Sequence, residues 1–359
     1  MGEQYIGVMS GTSLDAIDIS LCEISENDCK EITSDDYPYS SLIKQDILRA
    51  ISEPLSLKEV GELNHRLGKN YSSALNTFIK ENNVDKTKVV AIGLHGQTLW
   101  HEPNSAHPFS MQLGDASIVS KEVGIDVVCD FRSGDIALGG EGAPFTPAFH
   151  KMMFKDNNTA VLNLGGIANI TILGRKALGY DIAPANMLLD AWIQKIKDEP
   201  YDAGGTWASG GSVDADLLSK LLDEPFFEKE YPKSTGRELF NIKWLEDKLS
   251  FNDYNPQDVQ RTLVELLVRC VDKEIQTHKV KELVLCGGGA YNCFVKSRLE
   301  ELLKISVKKS DDFGIDAGSL ESMAFAWLAY KRIHKEVIDL KDITGAKENG
   351  ILGAIYAAY

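Results

Sequence analysis

The stretch Tyr5-Ile6-Gly7-Val8-Met9-Ser10-Gly11-Thr12-Ser13-Leu14-Asp15 begins as a short apolar strand and breaks into a turn rich in glycine and hydroxyls. Directly after it, Ile17, Ile19 and Leu21 alternate with Asp18 and Ser20, the period-two pattern of a half-buried strand. The same plan returns in the second half of the chain. There Ala160-Val161-Leu162-Asn163-Leu164 reads as a strand, Gly165-Gly166-Ile167-Ala168-Asn169 as a turn, and Ile170-Thr171-Ile172-Leu173 as a second strand. Two strand–turn–strand units predict an internally duplicated α/β architecture with one hairpin per half.

Outward from these units, Glu282–Cys286 reads as a strand, Gly287-Gly288-Gly289-Ala290 as a loop, and 292–303 as a helix with Val295, Leu299, Leu302 and Leu303 on one side. A longer helix starts at Asn255-Pro256, a capping residue followed by proline in the first turn. It carries Val259, Leu263, Leu266, Leu267, Cys270, Val271 and Ile275 at helical spacing. Further strands are expected at Val89–Leu94 and 125–129. No low-complexity segment or long linker interrupts the pattern, so any domain boundary is a hinge in a compact protein.

A length of 359 residues corresponds to about two domains at roughly 150 residues each. Hydrophobic content of 43% and charged content of 25% are those of a globular chain, not a disordered one. The net charge of −15 argues against a nucleic-acid or anionic-membrane binder, because phosphate-backbone recognition starts from a basic face. It leaves an anionic small substrate open. No apolar run reaches the ~18 residues of a membrane span, and no secretory signal opens the sequence. The six cysteines lack a C-x-x-C pair and read as reduced, mostly buried thiols of a cytoplasmic protein. His95, His101 and His107 recur every six residues, which suits neither a helical nor a finger-type metal site.

Four loops compete for a phosphate: Ser10 to Asp15, Gly165 to Asn169, Asp181 to Asn186, and Gly287-Gly288-Gly289. None is a Walker A loop or a G-x-G-x-x-G between strand and helix. Two hairpin tips carrying hydroxyls or asparagine can nonetheless cradle phosphate oxygens from two sides through backbone N–H groups. Lys233-Ser234-Thr235-Gly236-Arg237 reads either as an anion loop or as a solvated turn.

The opening segment closely resembles that of the anhydro-N-acetylmuramic acid kinase family. So do Gly93-Leu94-His95-Gly96-Gln97-Thr98, Gln112-Leu113-Gly114-Asp115, Asp130-Phe131-Arg132 and Gly139-Gly140-Glu141-Gly142-Ala143-Pro144. The resemblance continues in order through Asn163-Leu164-Gly165-Gly166-Ile167-Ala168-Asn169, Asn186-Met187-Leu188-Leu189-Asp190-Ala191-Trp192, Pro232 to Phe240, Cys286 to Asn292 and Glu321 to Ala329. It implies an α/β fold of two duplicated ribonuclease H-like (actin-like ATPase) domains forming a two-lobed clamp. The expected lobes are residues 1–131 plus 335–359, and 132–334, with the segment from Gly345 packed back on the first.

The resemblance also implies ATP and Mg²⁺ as cofactors. Ser10, Gly11, Thr12, Ser13, Leu14, Asp15, Ala16 and Ile17 would approach the phosphates, with Asp15 toward the metal. Gly165 and Gly166 would join them, and Gly287, Gly288 and Gly289 would lie by the adenosine. Asp181 is implied as the catalytic base, with Arg132, Glu321, His95 and Asn169 on the substrate side. The partner expected is a small anhydro amino sugar, and the family implies a homodimer. One departure stands out: the family's Gly-Phe-Asp-Thr-Gly-Pro-Gly-Asn is Gly179-Tyr180-Asp181-Ile182-Ala183-Pro184-Ala185-Asn186 here. A methyl at a glycine of positive φ would cost about 1 kcal/mol.

The implied reaction opens the 1,6-anhydro ring while O6 takes the γ-phosphoryl of ATP, a step of cell-wall recycling. O6 has no proton, so the base is needed only on the water that attacks the anomeric carbon, and one carboxylate suffices. Two rivals remain on the same fold: a kinase for a free sugar hydroxyl, and a non-catalytic ATP-dependent switch.

Overall fold

The computed structural model describes residues 2–11, 14, 16–154, 158–231, 233–250 and 253–359. The chain forms two compact units, Met1–Met153 with Ser319–Tyr359, and Phe154–Gly318. In the first, β1 (Glu3–Met9), β2 (Ala16–Ser25) and β3 (Asp28–Pro38) form an antiparallel meander. β4 (Val89–Leu94) lies parallel to β1. A separate hairpin, β5 (Gln97–Glu102) and β6 (Phe109–Leu113), precedes β7 (Val127–Cys129), which is parallel to β4.

In the second unit β8 (Thr159–Leu164), β9 (Ile167–Ile172) and β10 (Leu178–Pro184) repeat the meander. β11 (Glu282–Cys286) pairs parallel with β8, and β12 (Ser306–Lys309) parallel with β11. The C-terminal β13 (Ala354–Tyr356) adds antiparallel to β7. The sheet orders are β13-β7-β4-β1-β2-β3 and β10-β9-β8-β11-β12. Without β13 the two are the same: a meander extended, on the free side of its first strand, by two successive parallel strands. The duplication expected from the hairpins is therefore a duplication of whole sheets. The second hairpin turn is tighter than the sequence suggests: β9 starts at Ile167, so Asn169 is a strand residue.

The helices follow their amphipathic stripes. Helix Leu57–Glu81 starts with a capping box between Ser56 and Glu59 and buries Leu63, Leu67, Tyr71, Leu75 and Phe78. Helix Pro256–His278 is capped by Asn255 and buries all seven of its expected apolar positions. Helix Leu320–Ile333 packs on β1 and β4. Two glycines allow it: a Cβ on Gly7 would lie 1.8 Å from the Ser322 carbonyl oxygen, and one on Gly93 would lie 2.0 Å from that of Phe325. Only bare backbone lets the helix approach this closely.

That packing moves the boundaries. The first unit extends to Met153 instead of 131 and resumes at Ser319 instead of 335. Helix Leu320–Ile333 covers the first sheet, and helix Thr146–Met153 contacts both that helix and β3. The C-terminal segment packs back as expected: Leu352 and Ala358 are buried, and the Ala358 N–H donates to Asp126 at 2.8 Å. All six cysteines carry free thiols. Among the described residues, no helix is long and apolar enough to cross a membrane.

Candidate active site

In the second unit a row of three polar side chains crosses the sheet. Asn169 on β9 is paired with Asn163 on β8 and with Asp181 on β10, so the three side chains share one face. The strand register shifts just after Asp181, where Ile182 is the extra residue of a bulge. The Asp181 carboxylate accepts from the Ser234 hydroxyl at 3.1 Å and from the Thr235 N–H at 3.0 Å, both on Oδ2. Its own N–H donates to the Lys233 carbonyl at 3.2 Å. Burial pushes the carboxyl above its ordinary value, and the nearby Glu238 adds to this; the Thr235 and Ser234 donors pull the other way.

The departures beside Asp181 are accommodated. Ile182, Ala183 and Ala185 are buried in the core of the unit, and Ala185 has a φ of −125°, outside the left-handed region. Ala183 is not at positive φ either. The three side chains therefore fill the core, and neither alanine takes the left-handed backbone of a glycine.

Gly165 and Gly166 form the turn between β8 and β9. Their carbonyls accept from the N–H groups of Ala185, Asn186 and Met187 at 2.9–3.1 Å, which ties the turn to the start of helix Asn186–Lys197. Gly287, at the end of β11, has a φ of +75°, and a Cβ there would meet Asn163 Oδ1 at 2.2 Å. A Cβ on Gly289 would meet Leu164, whereas one on Gly288 would meet nothing within 4 Å. Gly288 and Gly289 line a cavity of about 370 Å³ with Asn186, Asp190, Tyr201 and Asn292. This volume suits a small-molecule ligand.

In the first unit the expected phosphate loop divides. Thr12, Ser13 and Asp15 lie outside the described residues. Ser10 is buried, its hydroxyl 2.6 Å from the Tyr71 hydroxyl and 3.3 Å from the Gly96 carbonyl. Gly11 offers its carbonyl to the Gln97 amide at 3.4 Å. Leu14 and Ile17 point into the core of the unit, and Ala16 opens β2, so these three could meet a phosphate only through backbone. The sequence reading placed all of them at a phosphate; burial of the apolar side chains limits that to main chain.

Arg132, His95 and Glu321 come together in this unit. Arg132 donates to His95 Nε2 from Nε at 3.2 Å and from Nη2 at 2.8 Å, and to the Gly142 carbonyl from Nη1 at 2.7 Å. Burial pushes the guanidinium down to about 10, against the charges of Glu321 and Asp135, which favour it. His95 is held well below its ordinary value by burial and by Arg132. With Nε2 accepting, its proton is on Nδ1. Glu321, in the first turn of helix Leu320–Ile333, is close enough for its charge to favour the Arg132 guanidinium.

Compared with known proteins, residues 3–358 match the family model for anhydro-N-acetylmuramic acid kinase. The chain belongs to that family. It is thus an enzyme, a kinase. Curated anhydro-N-acetylmuramic acid kinases resemble it end to end. That of Sulfurimonas denitrificans is 50% identical, over 99% of this chain and all of its own. That of Pasteurella multocida is 47% identical, over 98% of this chain and 96% of its own. Among solved structures, component A of (R)-2-hydroxyglutaryl-CoA dehydratase from Acidaminococcus fermentans aligns over 92% of this chain and 99% of its own, with TM-score 0.51 at 12% identity. Together with the repeated sheet order, that likeness makes the fold ribonuclease H-like in duplicate. In this anhydro-N-acetylmuramic acid kinase family member the sequence reading missed the contacts of Ser234 and Thr235 with Asp181. The segment stood out as a family-like run and a candidate anion loop, but neither signal pairs it with Asp181. Asn186, which closes one of the four candidate phosphate loops, and Asp190 line the cavity, as does Tyr201, which nothing in its local pattern marks.

Proposed function

We propose that the chain transfers the γ-phosphoryl of ATP to O6 of 1,6-anhydro-N-acetylmuramic acid while adding water across the anhydro bond. Asp181 carries this reading. It is a carboxylate raised by burial, held by two donors on one oxygen, and set in a row with Asn169. Oδ1 has no hydrogen bond among the described residues, which suits an oxygen that takes a proton from water.

The chemistry balances without an acid on the sugar. Water attacks C1, its proton goes to Asp181, and the C1–O6 bond breaks. O6 keeps that electron pair, attacks the γ-phosphorus, and ADP leaves with the bridging oxygen. The products are N-acetylmuramic acid 6-phosphate and ADP. Asn169 would position the water or the ring, and the cavity at Gly288 and Gly289 would take the adenosine. Arg132, kept charged by Glu321 and Asp135, would meet the lactyl carboxylate of the substrate, with His95 holding its geometry.

A magnesium ion carried by the nucleotide would neutralise phosphate charge. Asp15, its expected ligand, lies outside the described residues. Among those described, no cluster of three His, Cys, Asp or Glu side chains could hold a metal. The reading includes a cytoplasmic homodimer acting in cell-wall recycling, on the strength of the family.

Incubation with ATP, Mg²⁺ and the anhydro sugar in ¹⁸O-labelled water tests the reaction. The label should enter C1 of the phosphorylated sugar and leave the phosphate unlabelled. Phosphorylated sugar without label would point to an ordinary hydroxyl kinase, and labelled free phosphate with unchanged sugar to an ATPase.

A further inference from the structure

Lys233 precedes the two residues that hold Asp181, and its side chain is turned away from solvent. Only 4% of that side chain is exposed, and its ammonium lies 3.5 Å from Glu274 Oε1. The ammonium also sits over the rings of Phe226 at 5.2 Å and Tyr180 at 5.9 Å. The other oxygen of the same carboxylate, Glu274 Oε2, accepts from the Tyr180 hydroxyl at 2.7 Å. Tyr180 is the strand neighbour of Asp181 and so points to the opposite face of the sheet. One carboxylate on helix Pro256–His278 thus grips two things at once: the strand that carries Asp181, through Tyr180, and the loop that holds it, through Lys233.

A buried ammonium is costly unless paired. Lys233 departs from the anion-loop and solvated-turn readings of this segment, because its side chain is spent inside the unit, whereas Ser234 and Arg237 are exposed. We propose that Lys233, fixed by Glu274, is a positioning residue for Asp181: it anchors the loop whose carbonyl, hydroxyl and N–H orient the base and leave Oδ1 toward the water. This rests on Asp181 being the base.

The expected consequence has a direction. The Ser234 and Thr235 donors favour the ionised carboxylate, so a loop that drifts leaves Asp181 harder to ionise. Other titratable groups facing this network are Cys270 and His278 on the same helix, Tyr231 stacked on Tyr180, and Glu238 beyond Asp181.

The test uses Lys233→Met, which keeps the stem and removes the charge, with Asp181→Asn alongside. In the anhydro-sugar assay kcat should fall about 10–100-fold, the scale of a misplaced catalytic group. The acid limb of the kcat profile should move to higher pH by about half a unit or more, since the base loses donors to its charged form. KM for ATP should stay within about twofold, as for a loss confined to the chemical step. If Lys233→Met does not fold because Glu274 is left unpaired, Lys233→Met with Glu274→Gln removes both charges and reads out the same way. A folded variant with wild-type kcat and an unmoved acid limb would overturn the role of Lys233. Full activity in Asp181→Asn would instead overturn the base itself.

Discussion

Arg132 and His95 meet through one imidazole nitrogen: two N–H groups of the guanidinium converge on His95 Nε2. An imidazolium has no lone pair to accept them, so the pair exists only with a neutral histidine. His95 is buried and ring-packed on Phe325 at 4.7 Å, which further disfavours its charged form. Nitrogen-15 NMR should find the Nδ1–H tautomer, unchanged from about pH 8 down to about pH 5, where a free histidine would titrate. A midpoint inside that range would break the arrangement.

Asp181→Asn separates activity from stability. Turnover should fall by roughly 10²–10⁴-fold, the range for a lost general base. Folding should move the opposite way. Burial raises the folded-state value of Asp181, so its ionised form costs stability above that value, and the cost fades as pH falls through it. The variant should therefore melt at or above the wild-type temperature near neutral pH, and this margin should shrink in acid. A clear drop in melting temperature at neutral pH would contradict the raised value.

Gly7→Ala places a methyl carbon where the Ser322 carbonyl oxygen lies 1.8 Å away and the Ala326 nitrogen 2.6 Å away. Both are backbone atoms and cannot rotate aside. Overpacking of this kind costs about 1–3 kcal/mol, measurable by denaturant unfolding. Because relief requires helix Leu320–Ile333 to lift, Glu321 should shift and activity should fall further than stability alone explains. Wild-type stability in this variant would mean that the helix does not press on β1.

Gly288→Ala makes the reverse case. The added methyl meets no protein atom within 4 Å, and the backbone is not left-handed. Stability should stay within about 0.5 kcal/mol. The methyl would project into the cavity assigned to adenosine, so KM for ATP should rise while kcat changes little. An unchanged KM for ATP would remove Gly288 from the nucleotide site.

The alternation of Ile17, Ile19 and Leu21 and the apolar runs at Val89–Leu94 and Glu282–Cys286 made both sheets readable, because a strand's burial is written in its own residues. The duplication was visible from its two hairpins. Asn169 was placed in a turn because glycines usually extend a loop; here Gly165 and Gly166 close it alone. The boundaries were harder. Nothing near 132–153 or 319–334 says which sheet those helices cover, since that depends on Gly7 and Gly93, hundreds of residues away from Ser322 and Phe325. Lys233 was legible only as a cation. Its burial depends on Glu274, forty-one positions on, and no local pattern pairs the two.

The first unit's two segments also govern how the protein is made. Phe154–Gly318 is continuous and has all its strands once Gly318 leaves the ribosome. The first sheet, though begun at Glu3, waits for helix Leu320–Ile333 to cover β1 and β4, and for β13 to cap its edge against β7. At about 5–20 residues per second, that apolar surface stays open for roughly ten seconds or more after Met153 is made. The half synthesised first is thus the half completed last.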